Sequence, residues 1–167
     1  MDAPDRSLEV RWWDPAPPLE HLRALPGLDY LRAMADGALP PPPVASLLGM
    51  RIESVDEGVV VFALDPHESH YNPLGVVHGG VLSTLLDTVL GCAVHTLLPA
   101  GWGYTSIDLN VSYLRAVRVG SGPLRFTGRV LKHGRRVSFA TAEGVDASGA
   151  TVVTGTSSLL VMAPEGA

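Results

Sequence analysis

From Val81 to Leu98 the sequence is almost uninterruptedly apolar and carries a single acid, Asp87, with no Lys or Arg. Val81, Leu82, Leu85, Leu86, Val89, Leu90, Ala93, Val94 and Leu97 recur at the spacing of one long α-helix. Gly79-Gly80 precedes the run and Pro99-Ala100-Gly101 stops it. A helix on a domain surface shows a broad charged face. This one has none, so other elements must enclose it. About twenty such residues span roughly 30 Å, the width of a small domain. With 46% hydrophobic residues in 167, the chain has enough apolar side chains to build that enclosure.

The flanking sequence supplies it. Residues 1–44 read as an N-terminal extension, beginning with a Pro-punctuated arm over 1–17 whose bulky anchors are Trp12-Trp13. Short helices are expected over Leu19–Leu25 and Gly27–Asp36, and Pro40–Pro43 is a stiff extended connector. Leu28, Leu31 and Met34 form an apolar stripe that predicts docking on the core or on a neighbouring subunit, near a pocket mouth. Residues 45–163 read as the main domain. A turn over Ser46–Met50 leads into a hairpin, Arg51–Val55 and Val59–Leu64, around Asp56-Glu57-Gly58. Asp65–Tyr71 is a polar loop or short strand. After the helix come expected strands over Gly103–Val117, Pro123–His133, Arg136–Asp146 and Ala150–Met162. Their short connections imply antiparallel pairing. One helix against five to six antiparallel strands is an α+β two-layer domain.

Composition narrows the function. A net charge of −5 argues against nucleic acid as the main partner. Ser83, Thr84, Asp87, Thr88 and His95 interrupt the apolar run, so no membrane span is expected. The start Met1-Asp2-Ala3-Pro4-Asp5 lacks the basic and apolar regions of a signal peptide. Cys92, the single cysteine, cannot form an internal disulfide and fits a reducing cytoplasm. Set among apolar residues with no cation nearby in sequence, it reads as a structural thiol. Asp65, His67, Glu68 and His70 are metal-ligand types on a short loop without a converging partner cluster, so no metal is expected.

Asp87 is the informative residue. A carboxylate in an enclosed helix costs several kcal/mol unless it is paired or hydrogen-bonded. Ser83 and Thr84, four and three positions earlier, offer hydroxyls on its face, which would make it a structural acid. The glycine pair offers another reading. The first N–H groups of a helix lack internal partners and sit at its positive end, and glycine lets a ligand approach them closely. Gly79 and Asp87 are nevertheless about 12 Å apart by helical rise. That is too far to act on one carbonyl, and it hints that a second copy of the helix brings its Asp to the first copy's glycines.

Asn72, His78-Gly79-Gly80, Asp87 and the later run Ser106-Ile-Asp-Leu-Asn110-Val-Ser-Tyr-Leu-Arg-Ala resemble the hotdog-fold acyl-CoA thioesterases. The pattern is that of the phenylacetate-degradation type, related to the 4-hydroxybenzoyl-CoA thioesterases, and covers roughly Ala45–Met162. The resemblance implies a curved antiparallel sheet wrapped around one central helix. It implies homodimers with shared sites, paired further into homotetramers, and hydrolysis of an acyl-CoA substrate without a cofactor. By the same resemblance, the Gly79 amide with Asn72 would polarise the thioester carbonyl, and Asp87 would act as general base or nucleophile. Ser106 would hold the water near Asp87, His78 would orient the loop or contact the thioester, and Gly80 would line the substrate. Lys132, Arg135 and Arg136 at an expected hairpin tip suit either coenzyme A phosphates or a solvated turn. Arg115 and Arg118 are similar candidates. Two other readings remain open: an acyl-CoA-binding hotdog protein without turnover, and a hotdog dehydratase or hydratase, whose His-and-carboxylate motif fits this spacing poorly.

Overall fold

The computed structural model describes residues 5–164. The first four residues of the expected arm, and with them most of the leader reading, lie outside that range. The apolar run folds as a helix, α4, over Gly79–His95. It starts at the glycine pair and ends before Leu98, because Leu97 and Leu98 close turns onto the Val94 and His95 carbonyls. Its 17 residues correspond to about 25 Å. Leu82, Leu85, Leu86, Val89, Leu90, Ala93 and Val94 are all 3% exposed or less, so the helix is enclosed as its sequence requires.

Seven antiparallel strands enclose it: β1 (Met50–Asp56), β2 (Val59–Leu64), β3 (Gly103–Ser106), β4 (Asn110–Tyr113), β5 (Leu124–Lys132), β6 (Val137–Val145) and β7 (Thr151–Met162). They run in the order β1-β2-β5-β6-β7-β3, with β4 also pairing with β7. Strands β2, β3, β5, β6 and β7 all pack on α4. Close approach is set by glycine: a Cβ on Gly128 would meet the Val89 carbonyl oxygen at 2.2 Å. This is the α+β hotdog arrangement, with one strand more than expected. The extra strand arises because the run expected over Gly103–Val117 breaks. The Ile107 N–H still reaches the Ser158 carbonyl at 2.8 Å. Asp108 then leaves the ladder, its carboxylate accepting from the Ser158 N–H at 2.9 Å and its carbonyl from Ser157 Oγ at 2.7 Å. The chain rejoins β7 as β4 and departs again after Tyr113, short of Val117.

The N-terminal extension forms α1 (Ala16–Ala24), α2 (Gly27–Ala35) and α3 (Pro43–Leu48). The apolar stripe docks: Leu31 is 1% exposed, and Leu28 and Met34 pack against the same core. Gly27 allows the approach, since a Cβ there would meet the His95 carbonyl oxygen at 1.9 Å. Helix α1 buries no side chain, and Trp12 and Trp13 stay exposed, so the two tryptophans are not core anchors. The proline connector is shorter than expected. Pro43 enters the first turn of α3, where a missing N–H costs nothing, so a helix replaces the turn expected over Ser46–Met50.

Candidate active site

Asp87 points from α4 toward β3, where Ser106 Oγ donates to its Oδ1 at 2.6 Å. The local hydroxyls are engaged elsewhere. Ser83 Oγ bonds the Tyr113 hydroxyl at 2.6 Å, and Thr84 Oγ1 donates to the Gly80 carbonyl at 2.9 Å. The structural reading, in which those two hydroxyls satisfy the acid, is therefore replaced by a partner nineteen residues away. Among the described residues, the second carboxylate oxygen has no protein donor. Ser83, Asp87, Gly91 and His95 fall in one line along α4, facing Tyr113, Ser106 and Tyr104 in turn. Gly91 is where the fit is tightest: a Cβ there would lie 2.3 Å from Tyr104 Cε2.

Two groups beside this line are held neutral. Burial pushes the Cys92 thiol up to about 12, which removes it as a nucleophile at neutral pH. Burial also raises Tyr104 well above the ordinary phenol range, aided by Cys92 and Asp87. His95 is 4% exposed, stands between the Tyr30 and Tyr104 rings, and has no hydrogen-bond partner for either ring nitrogen among the described residues. Burial lowers its pKa to about 4.

The other end of α4 is a donor site. His78 is the N-cap, and its Nδ1 accepts from the Gly80 N–H at 2.8 Å. The His78 carbonyl accepts from the Val81 N–H at 3.0 Å. These two bonds leave the Gly79 N–H without a protein acceptor among the described residues, at the positive end of the helix dipole. Tyr113 lies over the same turn: its hydroxyl donates to the Gly79 carbonyl at 3.2 Å, and a Cβ on Gly79 would sit 3.0 Å from its ring. Asn72 shapes the approach. Its side-chain carbonyl accepts from Leu74 N–H at 2.9 Å and more weakly from Val76 N–H at 3.5 Å, in a turn closed by Gly75 at φ 70°. Among the described residues, the Asn72 NH₂ has no partner. Asn72, Gly79, Tyr113 and Arg115 all line one cleft of about 330 Å³.

The expected residues thus form two clusters on one helix. Asn72, His78, Gly79 and Gly80 gather at its start, and Asp87 with Ser106 lies about 12 Å further along. Lys132, Arg135 and Arg136 are exposed at the β5–β6 hairpin tip. Their neighbour His133 shares a groove with Leu97, Leu98 and Pro99, so the tip stands at the far end of α4 from Gly79. Sequence reasoning gave Tyr113 no role of its own; it is 54% exposed. The loop over Asp65–His70 has other employment. His67 Nδ1 accepts from the Ser69 N–H at 3.2 Å, Arg6 pairs with Glu68, and Arg51 pairs with Asp65 at 2.8 Å.

A family model described as the thioesterase superfamily matches residues 74–153, which hold both clusters except for Asn72. A Halobacterium salinarum protein carrying a provisional esterase name is 38% identical over 100 residues, covering 57% of this chain and 64% of its own length. Human acyl-coenzyme A thioesterase 13 is 29% identical over 90 residues, covering 54% of this chain and 63% of its own. The chain therefore spans somewhat under two thirds of these curated relatives. The crystal structure of a phenylacetic acid degradation-related protein from Ralstonia eutropha superposes with a TM-score of 0.72 at 32% identity, covering 78% of this chain and 98% of that one. With the sheet, the helix and the matched stretch in agreement, the chain belongs to the thioesterase superfamily.

Proposed function

We propose that this protein hydrolyses acyl-CoA thioesters to a carboxylic acid and coenzyme A, at sites shared between two copies of the chain. The observation that carries the reading is the Asp87 carboxylate, fixed on one oxygen by Ser106 and, among the described residues, unengaged on the other. The open Gly79 N–H supplies the complementary electrophilic element. A donor of this kind is worth about 3 kcal/mol in an acyl-transfer transition state. Asp87 either activates water against the thioester carbon or attacks it to form a mixed anhydride that water then opens. In both routes the C–S bond breaks, the acyl carbon gains an oxygen that comes ultimately from water, and a proton passes to the coenzyme A sulfur.

The separation of about 12 Å along α4 supports a site completed by a second chain. Two antiparallel helices would set the Asn72, His78 and Gly79 end of one against the Asp87 and Ser106 of the other. The outer edge of β3 and β4 suits that pairing, with Ile107, Tyr113 and Leu114 each more than half exposed. A C2 dimer then holds two equivalent sites, and two dimers pair as a tetramer. In this assembly Gly80 gives the substrate room beside His78, and Arg115 beside Gly79 is the nearest cation for the coenzyme A phosphates. Lys132, Arg135 and Arg136 reach the same region only from another subunit. We place the protein in the cytoplasm on its single cysteine. Among the described residues, no helix is long and apolar enough to cross a membrane.

The test is thiol release from a panel of acyl-CoAs by the wild type and by Asp87→Asn. Turnover that falls at least ~100-fold in the variant supports the reading. A wild type that binds acyl-CoA without releasing thiol is a binding protein, and the reading fails.

A further inference from the structure

A cavity of about 500 Å³ lies between α4 and the N-terminal extension. Met34 and Leu39 of the extension, Ile52 and Phe62 of the sheet, and Thr88 and Cys92 of α4 define it. Its one charged lining residue, Arg51, is already paired with Asp65 at 2.8 Å and lies 3.9 Å from Glu53. Thr88, the residue that follows Asp87 on α4, and Cys92 about one turn further on line its α4 side. Apart from Thr88 and Cys92, every lining residue precedes residue 74, where the family match begins. The cavity is thus built mainly from sequence outside the shared family core.

We infer that this cavity receives the acyl group, and that the N-terminal extension sets which acyl groups are accepted. The inference rests on the thioesterase reading above and adds to it the substrate class, a neutral hydrocarbon acyl group of medium length. A volume of about 500 Å³ falls within the range of small-molecule pockets, roughly 300–1,000 Å³. A terminal carboxylate on the acyl chain would be desolvated there against a cation whose charge is already matched. With the thioester carbon beside Asp87, the acyl chain runs into the cavity of the subunit that supplies Asp87. The coenzyme A moiety lies toward the partner's glycine end. Each chain therefore reads the acyl half of one substrate and the coenzyme half of the other.

The experiment compares kcat/KM for acetyl-, hexanoyl-, decanoyl- and succinyl-CoA in the wild type, Ala38→Trp and Val44→Trp. Both substituted residues line the cavity and are exposed, so the fold tolerates the larger ring. The wild type should favour decanoyl- over acetyl-CoA by about tenfold or more, because each buried methylene adds discrimination. Both variants should lose about tenfold or more on decanoyl-CoA while acetyl-CoA turnover stays within about twofold. An unchanged chain-length profile in both variants, with turnover intact, overturns the acyl-pocket assignment and leaves the thioesterase reading standing. Preference for succinyl- over hexanoyl-CoA in the wild type also overturns it. If no thioester is hydrolysed, calorimetric titration with decanoate decides the pocket separately. Binding lost in both tryptophan variants upholds the cavity as an apolar-chain site, and binding absent or unaffected overturns it.

Discussion

Ser106 Oγ and Asp87 Oδ1 meet at 2.6 Å across the gap between β3 and α4. The bond fixes one carboxylate oxygen and aims the other. Asp87→Asn keeps the size of the side chain and its contact with Ser106, but removes the proposed base or nucleophile. Turnover should fall at least ~100-fold with little change in melting temperature. Ser106→Ala leaves the carboxylate present but unaimed. Loss of a hydrogen bond to a charged group should lower kcat by about tenfold or more, with KM little changed. Steady-state kinetics on the two variants, beside their melting curves, separate the chemical role from a structural one.

Asn72→Ala and Asp87→Asn damage opposite ends of α4, and in the shared-site arrangement they damage opposite halves of each site. In a heterodimer of the two variants, one site carries both substitutions and the other carries neither. Separately tagged chains, co-expressed and purified through both tags, should recover roughly half the wild-type activity per dimer, by two-fold symmetry. A verified heterodimer as inactive as its parents would place the whole site within one chain.

Gly91 faces Tyr104 with no room for a methyl group, at 2.3 Å from Cε2 to an added Cβ. Gly91→Ala should push β3 away from α4 and draw Ser106 off Asp87. Overpacking of this kind costs about 1–3 kcal/mol, so both melting temperature and kcat should drop. Tyr104→Ala removes the obstructing ring, and Gly91→Ala should then cost clearly less than it does alone. Additive losses across the double-mutant cycle would show that the two residues do not couple.

His95 gives the protein an acid sensitivity with a defined sign. Its ordinary pKa of 6.5 falls to about 4 in the folded state. Between those values the unfolded chain binds a proton that the native chain refuses. The stability is complete above about pH 6.5 and is lost as pH falls toward 4, by up to about 3 kcal/mol. His95→Phe fits between Tyr30 and Tyr104 and removes two unpartnered nitrogens. It should raise the melting temperature more at pH 5 than at pH 8. Equal shifts at both pH values would mean that protonation of His95 is not the cause.

The cations near the proposed coenzyme A path should act on binding rather than on chemistry. Arg115→Ala, Arg135→Ala and Arg136→Ala should each raise KM for acyl-CoA more than they lower kcat. The effects should shrink in high salt. Arg115, in the Gly79 cleft, should show the largest change. A wild-type KM in all three would assign these side chains to solvent.

The central helix was legible because its periodicity and want of charge leave no other fold for it, and the glycine pair marked its start. The first hairpin was legible within a residue at each end. The break at Asp108 was not, because it depends on hydrogen bonds to Ser157 and Ser158, some fifty residues away. The same limit governs Asp87: Ser83 and Thr84 were the hydroxyls in local reach, yet the partner comes from β3. Ser106 entered through family resemblance rather than through spacing. Tyr113 was not singled out, because its place over Gly79 and Ser83 follows from the pairing of β4 with β7 rather than from local spacing. Pro43 was read as connector because the α3 pattern behind it is only a turn and a half long.

The two borders of the sheet are not alike. At β1, Arg32 of α2 reaches over to donate to the Val55 carbonyl at 3.4 Å, the strand bulges between Ile52 and Ser54, and Arg51, Glu53 and Asp56 face outward. A newcomer strand would find that border bent, charged and partly occupied. At β3 and β4 the border exposes Ile107, Tyr113 and Leu114 among short polar residues. In the proposed dimer, growth of the sheet through that border ends with one second copy of the chain. The extension that walls the cavity also reaches over the β1 border through Arg32, so the segment proposed to choose the substrate would also oppose the addition of a strand there.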